Sequence, residues 1–486
     1  PRPRNKKRKE KGGRTGGGKR EGEGGGEGMD LPWDFKERIR RQLGEAGEDF
    51  LACYEKERVY GLRCNLLKIK PDRLKGLLFA AGIDTQTVPW AKEGFYYAPD
   101  VQPGKLPLHE AGAYYIQEPS AMIAAELLDP AAGDRVLDLC AAPGGKSTQI
   151  AARLQGTGLL VSNEIVGARA KILSRNIERM GIKNAVVLRE EPGRLTPRFT
   201  EFFNRILVDA PCSGEGMFRK DENARGEWSL QRTLSCAERQ RGILRQAARM
   251  LKPGGRLVYS TCTFAPQENE ETAEWFVQEF PQFTLDRTEQ VWPHLHRGEG
   301  HFAACFQKDD TLLLGREAGA GFGALSGGGK KRSKGSAGTH SALAKKDAQA
   351  VSAFCRETLS EETAARMEEY LRTGKLVVFG GQICLLPSGL GSLDGLKTER
   401  AGLEIGWIRK GRLEPSHAFA MALHPKDVIR VAELAEPMRY LHGESISCSG
   451  QNGWTLAVID GCSVGWGKVS QGVLKNHYPK GLRLQW

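Results

Sequence analysis

Residues 136–146, Val136-Leu-Asp-Leu-Cys-Ala-Ala-Pro-Gly-Gly-Lys146, constrain this chain more than any other stretch. An apolar run that ends in a Gly-Gly turn and then turns polar reads as a buried strand feeding a helix over 147–154. Such a turn leaves free backbone N–H groups around a small concavity at the carboxyl end of a strand, where open α/β sheets bind ligands. Two later stretches also run from a strand into a cysteine: Ile206-Leu-Val-Asp-Ala-Pro-Cys-Ser-Gly214 and Leu257-Val-Tyr-Ser-Thr-Cys-Thr263.

The surroundings of these stretches predict an α/β domain over 129–315. Strands are expected at 135–139, 159–163, 185–188, 205–208 and 256–260, with helices at 147–154, 168–180 and 237–251. This alternation implies a mostly parallel sheet with helices on both faces. Lys252-Pro-Gly-Gly255 reads as a helix stop and turn before the fifth strand. Residues 29–128 form a small α+β region: a helix over 35–54, a strand over 61–68, a helix over 72–81 closed by Gly82, and a strand over 94–97. A helix over 121–128 completes it. Arg63, Asn65 and the tyrosines of this region are candidate RNA contacts, although aromatics in so small a unit also build cores.

The formal charge of +12 suggests an acidic polymer as partner, but it is unevenly spread. Residues 1–28 carry a net +6 and residues 316–350 a net +5, so the rest of the chain is close to neutral. Residues 1–28 are Lys/Arg/Gly-rich with almost no apolar side chain, and a disordered tail is expected there. Met29-Asp-Leu-Pro-Trp-Asp-Phe reads as a natural start, so the tail is either an RNA-attracting arm or a nonessential extension. Residues 316–350, with Gly327-Gly-Gly-Lys-Lys-Arg-Ser-Lys-Gly335 at their centre, have a flexible-linker composition. Residues 351–486 regain apolar alternation and form a second folded unit, which subdivides near 433. Its end, from Val464-Gly-Trp-Gly-Lys468 to Val473-Leu-Lys-Asn-His-Tyr-Pro-Lys-Gly-Leu-Arg483, interleaves aromatic and basic residues in a manner suited to RNA.

Eleven cysteines without a C-x-x-C pair or a dense His/Cys cluster argue against a metal site or a disulfide scaffold, and for reduced thiols in the cytoplasm. No apolar run of about 18 residues and no signal-peptide pattern are seen, so neither a membrane span nor export is expected.

The glycine turn has neither the G-x-x-x-x-G-K-[ST] nor the G-x-G-x-x-G spacing, which argues against a phosphate-bearing ligand. Acids stand at the ends of the following strands: Glu164, the pair Glu190-Glu191, and Asp209. A ligand with an amino group and a ribose but no phosphate fits this set, and S-adenosylmethionine meets the description. Cys212 and Cys262 then fall beside that pocket. Methylating C5 of a pyrimidine requires a nucleophile, because a thiolate added at C6 makes C5 reactive toward an electrophilic methyl group. Asp209 is placed to hold the cytosine N3/N4 edge, and the base must be unstacked to enter. The residues alone leave open which thiol attacks.

Asp138-Leu-Cys-Ala-Ala-Pro-Gly-Gly-Lys146, Asp209-Ala-Pro-Cys-Ser-Gly-Glu-Gly216 and Ser260-Thr-Cys-Thr263 together resemble the Sun-type (NSUN) RNA cytosine-C5 methyltransferases. The C-terminal Gly-Trp-Gly-Lys and Leu-Lys-Asn-His-Tyr-Pro-Lys-Gly-Leu-Arg stretches resemble the bacterial 16S rRNA members, which carry a C-terminal RNA-binding region. The resemblance implies a Rossmann-like methyltransferase domain, an N-terminal α+β RNA-recognition region and a C-terminal mixed α/β, PUA-like module. It implies a cofactor site of Cys140, Ala141, Ala142, Pro143, Gly144, Gly145, Lys146, Glu164, Glu191 and Asp209. Cys262 would be the nucleophile and Cys212 would assist product release. Relatives often carry Asp where Glu191 stands, so Glu190 is its competitor. The implied activity is formation of 5-methylcytosine in small-subunit rRNA by a monomer. The same chemistry on tRNA, or a catalytically silent ribosome-assembly factor, are the alternatives.

Overall fold

The computed structural model describes residues 31–310 and 340–484. The expected basic tail over 1–28 and most of the expected linker lie outside the described residues. Among those described, no helix is long and apolar enough to cross a membrane, and no group of three or more His, Cys, Asp or Glu is arranged to hold a metal ion.

The described residues open with the helix Trp33–Leu43, which buries Phe35 and Ile39 one turn apart and carries Arg40 and Arg41 in its last turn, where they complement the helix dipole. Gly44, at a φ of 58°, ends it, so the single helix expected over 35–54 is two, the second being Ala46–Ala52. Phe35, Phe50 and Tyr54 pack with Phe218, Trp228 and Phe264, which follow the two cysteine-bearing strands. Strands β1 (Tyr60–Cys64), β2 (Thr85–Val88), β3 (Ala91–Tyr97) and β4 (Tyr114–Ile116) form an antiparallel sheet in the order β2-β3-β1-β4.

The expectation that Arg63 and Asn65 face RNA is corrected here. Arg63 is wholly buried and donates to the Gln117 side chain (2.9 Å), to Gly145 O (3.0 Å) and to Thr148 Oγ1 (2.7 Å). Asn65 donates to the carbonyls of Gly112 and Met180. A guanidinium on an inward strand position has no water, so it must find protein acceptors. Two of those acceptors, Gly145 and Thr148, belong to the glycine turn and the helix it opens, which fixes the small sheet onto it. Tyr54, Tyr96, Tyr97, Tyr114 and Tyr115 are buried as well.

The central sheet contains β5 (Arg135–Asp138), β6 (Leu159–Asn163), β7 (Ala185–Leu188), β8 (Phe203–Asp209), β9 (Leu251–Thr261), β10 (Phe283–Val291) and β11 (His301–Lys308). Its order runs β10-β11-β9-β8-β5-β6-β7, with β5 to β9 parallel and β10 and β11 antiparallel. Alternate residues face opposite cores: Leu137, Val161, Val186 and Ile206 one, Val136, Leu160, Val187 and Leu207 the other. Both faces are buried, so the parallel strands read as continuous apolar runs. The strand order reverses between β5 and β8, and the cleft opens at that switch point.

Several boundaries differ from expectation. Lys252-Pro-Gly-Gly255 lies within β9 as an irregular stretch, where the register against β8 shifts between Phe203 and Arg205. The helix before it, Leu230–Met250, begins earlier because the Ser229 side chain caps it by accepting from Arg232 N. The helices Pro192–Phe199 and Glu270–Glu279 and the strands β10 and β11 were not expected.

The described residues resume at His340, and the helix Lys345–Thr358 starts inside the span expected to be linker. It repeats its apolar face at Val351, Phe354, Cys355 and Thr358, a pattern that the Lys/Ala-rich first turn conceals. The remaining strands are β12 (Ser341–Ala342), β13 (Leu376–Phe379), β14 (Gln382–Leu385), β15 (Thr398–Ala401), β16 (Leu403–Arg409), β17 (Arg412–Pro415), β18 (Val431–Glu433), β19 (Ile446–Ser447), β20 (Gly453–Ile459), β21 (Cys462–Ser470) and β22 (Val473–Asn476). One five-stranded sheet has the order β12-β13-β14-β16-β17 and another β18-β20-β21-β22-β19. β15 leaves both and adds antiparallel to β7, extending the central sheet. Buried Arg400 anchors it through Ser174 (3.0 Å) and Glu178 (2.6 Å). Trp466 and Tyr478, expected to offer rings to RNA, are each 2% exposed. They alternate inward on or beside their strands and fill the core, while Lys468 and Lys475 point outward.

Candidate active site

The turn after β5 is held from several sides. Leu139 N donates to Leu207 O and Ala141 N to Asn163 O, both across the sheet. Arg169 and Asn176, on the helix Gly167–Arg179, donate to the carbonyls of Ala142 and Pro143. Gly144 sits at a φ of 116°, and a side chain there would press Leu173 at 3.1 Å, so only glycine suits the turn. The helix Gly145–Leu154 begins at once.

Cys140, Ala141, Ala142, Pro143, Gly145, Lys146 and Asp209 line the resulting cleft together with Asp138, Gln117 and Lys220. Gly144, Glu164 and Glu191 are outside that lining. Buried Glu164 accepts from Val166 N (2.8 Å) and pairs with Arg169 (3.2 Å). Glu191 is exposed and precedes the helix Pro192–Phe199. Glu190 is buried, with Arg194 at 3.1 Å, and accepts from Lys397 N at 2.7 Å, which ties the end of β7 to the segment before β15. Asp138 was not singled out from the sequence. It is wholly buried, its Oδ2 accepts from Ser147 Oγ at 2.6 Å, and its Oδ1 has no partner. Burial pushes its carboxyl up to about 7.

Lys146 and Asp209 form an ion pair at 2.8 Å. Ser260 Oγ donates to the other Asp209 oxygen at 2.8 Å, and His301 Nε2 stands 3.7 Å from that oxygen. Burial opposes the Asp209 charge, but the Lys146 ammonium and the hydrogen bonds from Lys146 and Ser260 outweigh it and hold the carboxyl below its usual range. Burial likewise opposes the Lys146 charge, and Asp209 overcomes it, so the ammonium titrates above its usual range. Burial and then Lys146 push His301 down to about 3, which leaves a neutral ring whose Nε2 has no hydrogen-bond partner. His301 begins β11, one of the unexpected strands; only its position after Gly298-Glu-Gly300 set it apart.

The two thiols meet because β8 and β9 are parallel neighbours with Asp209 in register with Ser260. Cys212 and Cys262 follow those residues, and their sulfurs lie 3.4 Å apart. The hydrogen bond to Cys262, then burial, pushes the Cys212 thiol well above its ordinary range. The loops carrying them are cross-braced. Ser213 Oγ and Thr263 Oγ1 are 2.8 Å apart, and Gly216 N donates to Cys262 O at 2.8 Å. Ser213 N and Gln240 Nε2 donate to Glu268 Oε2. Glu215 accepts from Arg38, Trp228 and Phe264 N.

Comparison with known proteins agrees along the chain. The model described as "16S rRNA methyltransferase RsmB/F" matches residues 125–307, and the "N-terminal domain of 16S rRNA methyltransferase RsmF" matches 31–119. The "RsmF rRNA methyltransferase first C-terminal domain" matches 353–423 and the "Methyltransferase RsmF PUA domain" 433–484. The ribosomal RNA small subunit methyltransferase F of Shewanella amazonensis is 29% identical over 454 residues, covering 87% of this chain and 91% of that protein. Its namesake from Pectobacterium atrosepticum is 36% identical over 58% of this chain and 63% of its own length, so that match spans under two thirds of the relative. A solved methyltransferase homolog protein from Pyrococcus horikoshii covers 58% of this chain and 96% of its own, with a TM-score of 0.53 and 28% identity.

Proposed function

We propose that this chain, whose residues 125–307 and 31–119 match models of 16S rRNA methyltransferases, uses S-adenosylmethionine to make 5-methylcytosine in 16S rRNA through a covalent cysteine adduct. The observation that carries the reading is the pair of sulfurs 3.4 Å apart at adjacent strand ends, beside the cleft shared by the glycine turn and Asp209. Ribosomal RNA as substrate makes the cytoplasm the place of action.

The cleft fits the cofactor in kind. The turn at Cys140–Lys146 offers backbone groups without a phosphate-binding spacing, and Asp138 presents an unpartnered oxygen suited to an amino or hydroxyl donor. When bound, S-adenosylmethionine supplies an electrophilic methyl group. Glu164 and the Glu190-Glu191 pair are the acids at the neighbouring strand ends, with Glu190 the buried one.

The hydrogen bond with Cys262 and burial hold the Cys212 thiol well above its ordinary range. Cys262, the nucleophile that the resemblance implies, attacks C6 of the unstacked cytosine as its thiol proton passes to N3, and the C6–S bond pushes electron density to C5. Asp209, kept ionised by Lys146, accepts hydrogen bonds from the protonated N3 and the N4 amino group, which favours addition. After C5 is methylated, water takes its proton, the C6–S bond breaks with the electron pair returning to Cys262, and that thiolate recovers the proton held on N3. Cys212 assists that release. The test is incubation of the full chain with 16S rRNA and methyl-tritiated cofactor, followed by nucleoside analysis. Label in 5-methylcytidine is expected; label on any other atom, or none, would contradict the reading.

A further inference from the structure

A second cavity, of about 540 Å³, lies away from the thiols among the helix Lys345–Thr358, β17 and the strands β20 and β21. Phe354 and Trp454 form its apolar wall, with their rings edge-to-face at 6.4 Å. Arg412, Arg430 and Lys468 line it too, against one acid, Glu357. Among the described residues none of these three cations is ion-paired. Lys468 Nζ lies 5.6 Å from the Trp454 ring. Arg430 is fixed by donating to Trp454 O (3.1 Å) and Glu357 O (2.6 Å), and it lies against Gly453, where a Cβ would come within 2.8 Å of its guanidinium. The cavity thus has a preset cation and two exposed ones facing an indole.

We propose that this cavity binds one nucleotide of single-stranded RNA, with the base against Trp454 and the adjoining phosphates against Arg412 and Lys468. The proposal rests on the RNA-methyltransferase reading and adds a second point of contact for the same substrate. The size lies within the range of small-ligand pockets. Aromatic rings beside cations are the usual means of holding unpaired nucleotides, since every base has a π face and every link a charge. An acidic peptide would satisfy the cations but bring no ring to the indole.

The test uses the full chain with S-adenosylmethionine and two RNAs: the 16S rRNA substrate, and a short single-stranded RNA carrying 5-iodouridine for photocrosslinking. R412E and K468E change exposed side chains outside the catalytic cleft. Each is expected to raise KM for rRNA about tenfold with kcat and cofactor affinity unchanged, and to lower the salt-dependence slope of RNA binding by about one. The iodinated RNA is expected to crosslink at Trp454 or Phe354. Unchanged KM values with crosslinks elsewhere would overturn the site. So would a crosslink that polyglutamate displaces and unlabelled RNA does not, which would assign the cavity to an acidic protein. If the wild-type protein methylated no RNA, the methyltransferase reading would fail, while the crosslink would still judge the cavity.

Discussion

Two parts of this chain look equally functional as letters: the Pro-Cys and Thr-Cys stretches, and the aromatic-basic stretch from Val464 to Arg483. In the fold they differ completely. Asp209, Cys212 and Cys262 stand at or just beyond the carboxyl ends of parallel strands; Asp209 lines the cleft, and the two sulfurs lie 3.4 Å apart on the loops that follow. Trp466 lies in the middle of an antiparallel strand and packs with Phe354 and Phe419, its indole N–H donating to Ser416 O. Residue type names candidates for chemistry; position relative to the sheet selects among them. Trp454, by contrast, is partly exposed beside its cavity.

That contrast can be broken by substitution. D209N should lower kcat per folded molecule about 10²- to 10³-fold by removing the charge paired with Lys146, and should also lower the melting temperature because the buried ammonium loses its partner; single-turnover kinetics and thermal denaturation check it. W466A should act through stability alone, costing about 3–5 kcal/mol while the molecules that remain folded keep their chemistry, as denaturant titration and active-site counting would reveal. Comparable activity losses per folded molecule in both variants would erase the distinction.

A smaller effect sharpens the electrostatic side. Burial raises Asp138 from an ordinary 3.8 to about 7, so between those values the folded state binds more protons than the unfolded one. Stability contributed by this group therefore falls as pH rises through that window. D138N should flatten the dependence of melting temperature on pH across it in protein free of cofactor. Glu268, also raised by burial to about 7, remains in both proteins, so the difference isolates Asp138. The smallest effect is expected at exposed Lys475, where alanine should change stability by less than about 0.5 kcal/mol.

The central sheet was legible because strands buried on both faces are uninterrupted apolar runs, and the glycine turn because its conformation demands glycine. β10 was not legible: five consecutive exposed residues remove the alternation that marks a strand. β15 joins β7 from about two hundred residues away, a pairing that local pattern does not encode. Arg63 was misread for a related reason, since a buried guanidinium and an RNA-facing one are the same letter until their acceptors, here Gly145 O and Thr148, are known. Of the candidate site residues, Cys140, Ala141, Ala142, Pro143, Gly145, Lys146 and Asp209 line one cleft and the two sulfurs meet each other, because each motif is a strand end. Glu191 is displaced by a single residue, and Glu190 takes the buried position after β7.

The division of labour between the two sulfurs is the centre of the account, and it is read directly by denaturing electrophoresis after incubating each cysteine variant with 16S rRNA and S-adenosylmethionine. C212A should accumulate a denaturation-resistant RNA–protein adduct through Cys262, and C262A should form neither adduct nor 5-methylcytidine. An adduct in C262A, or its absence from C212A with methylation intact, would contradict the roles assigned here.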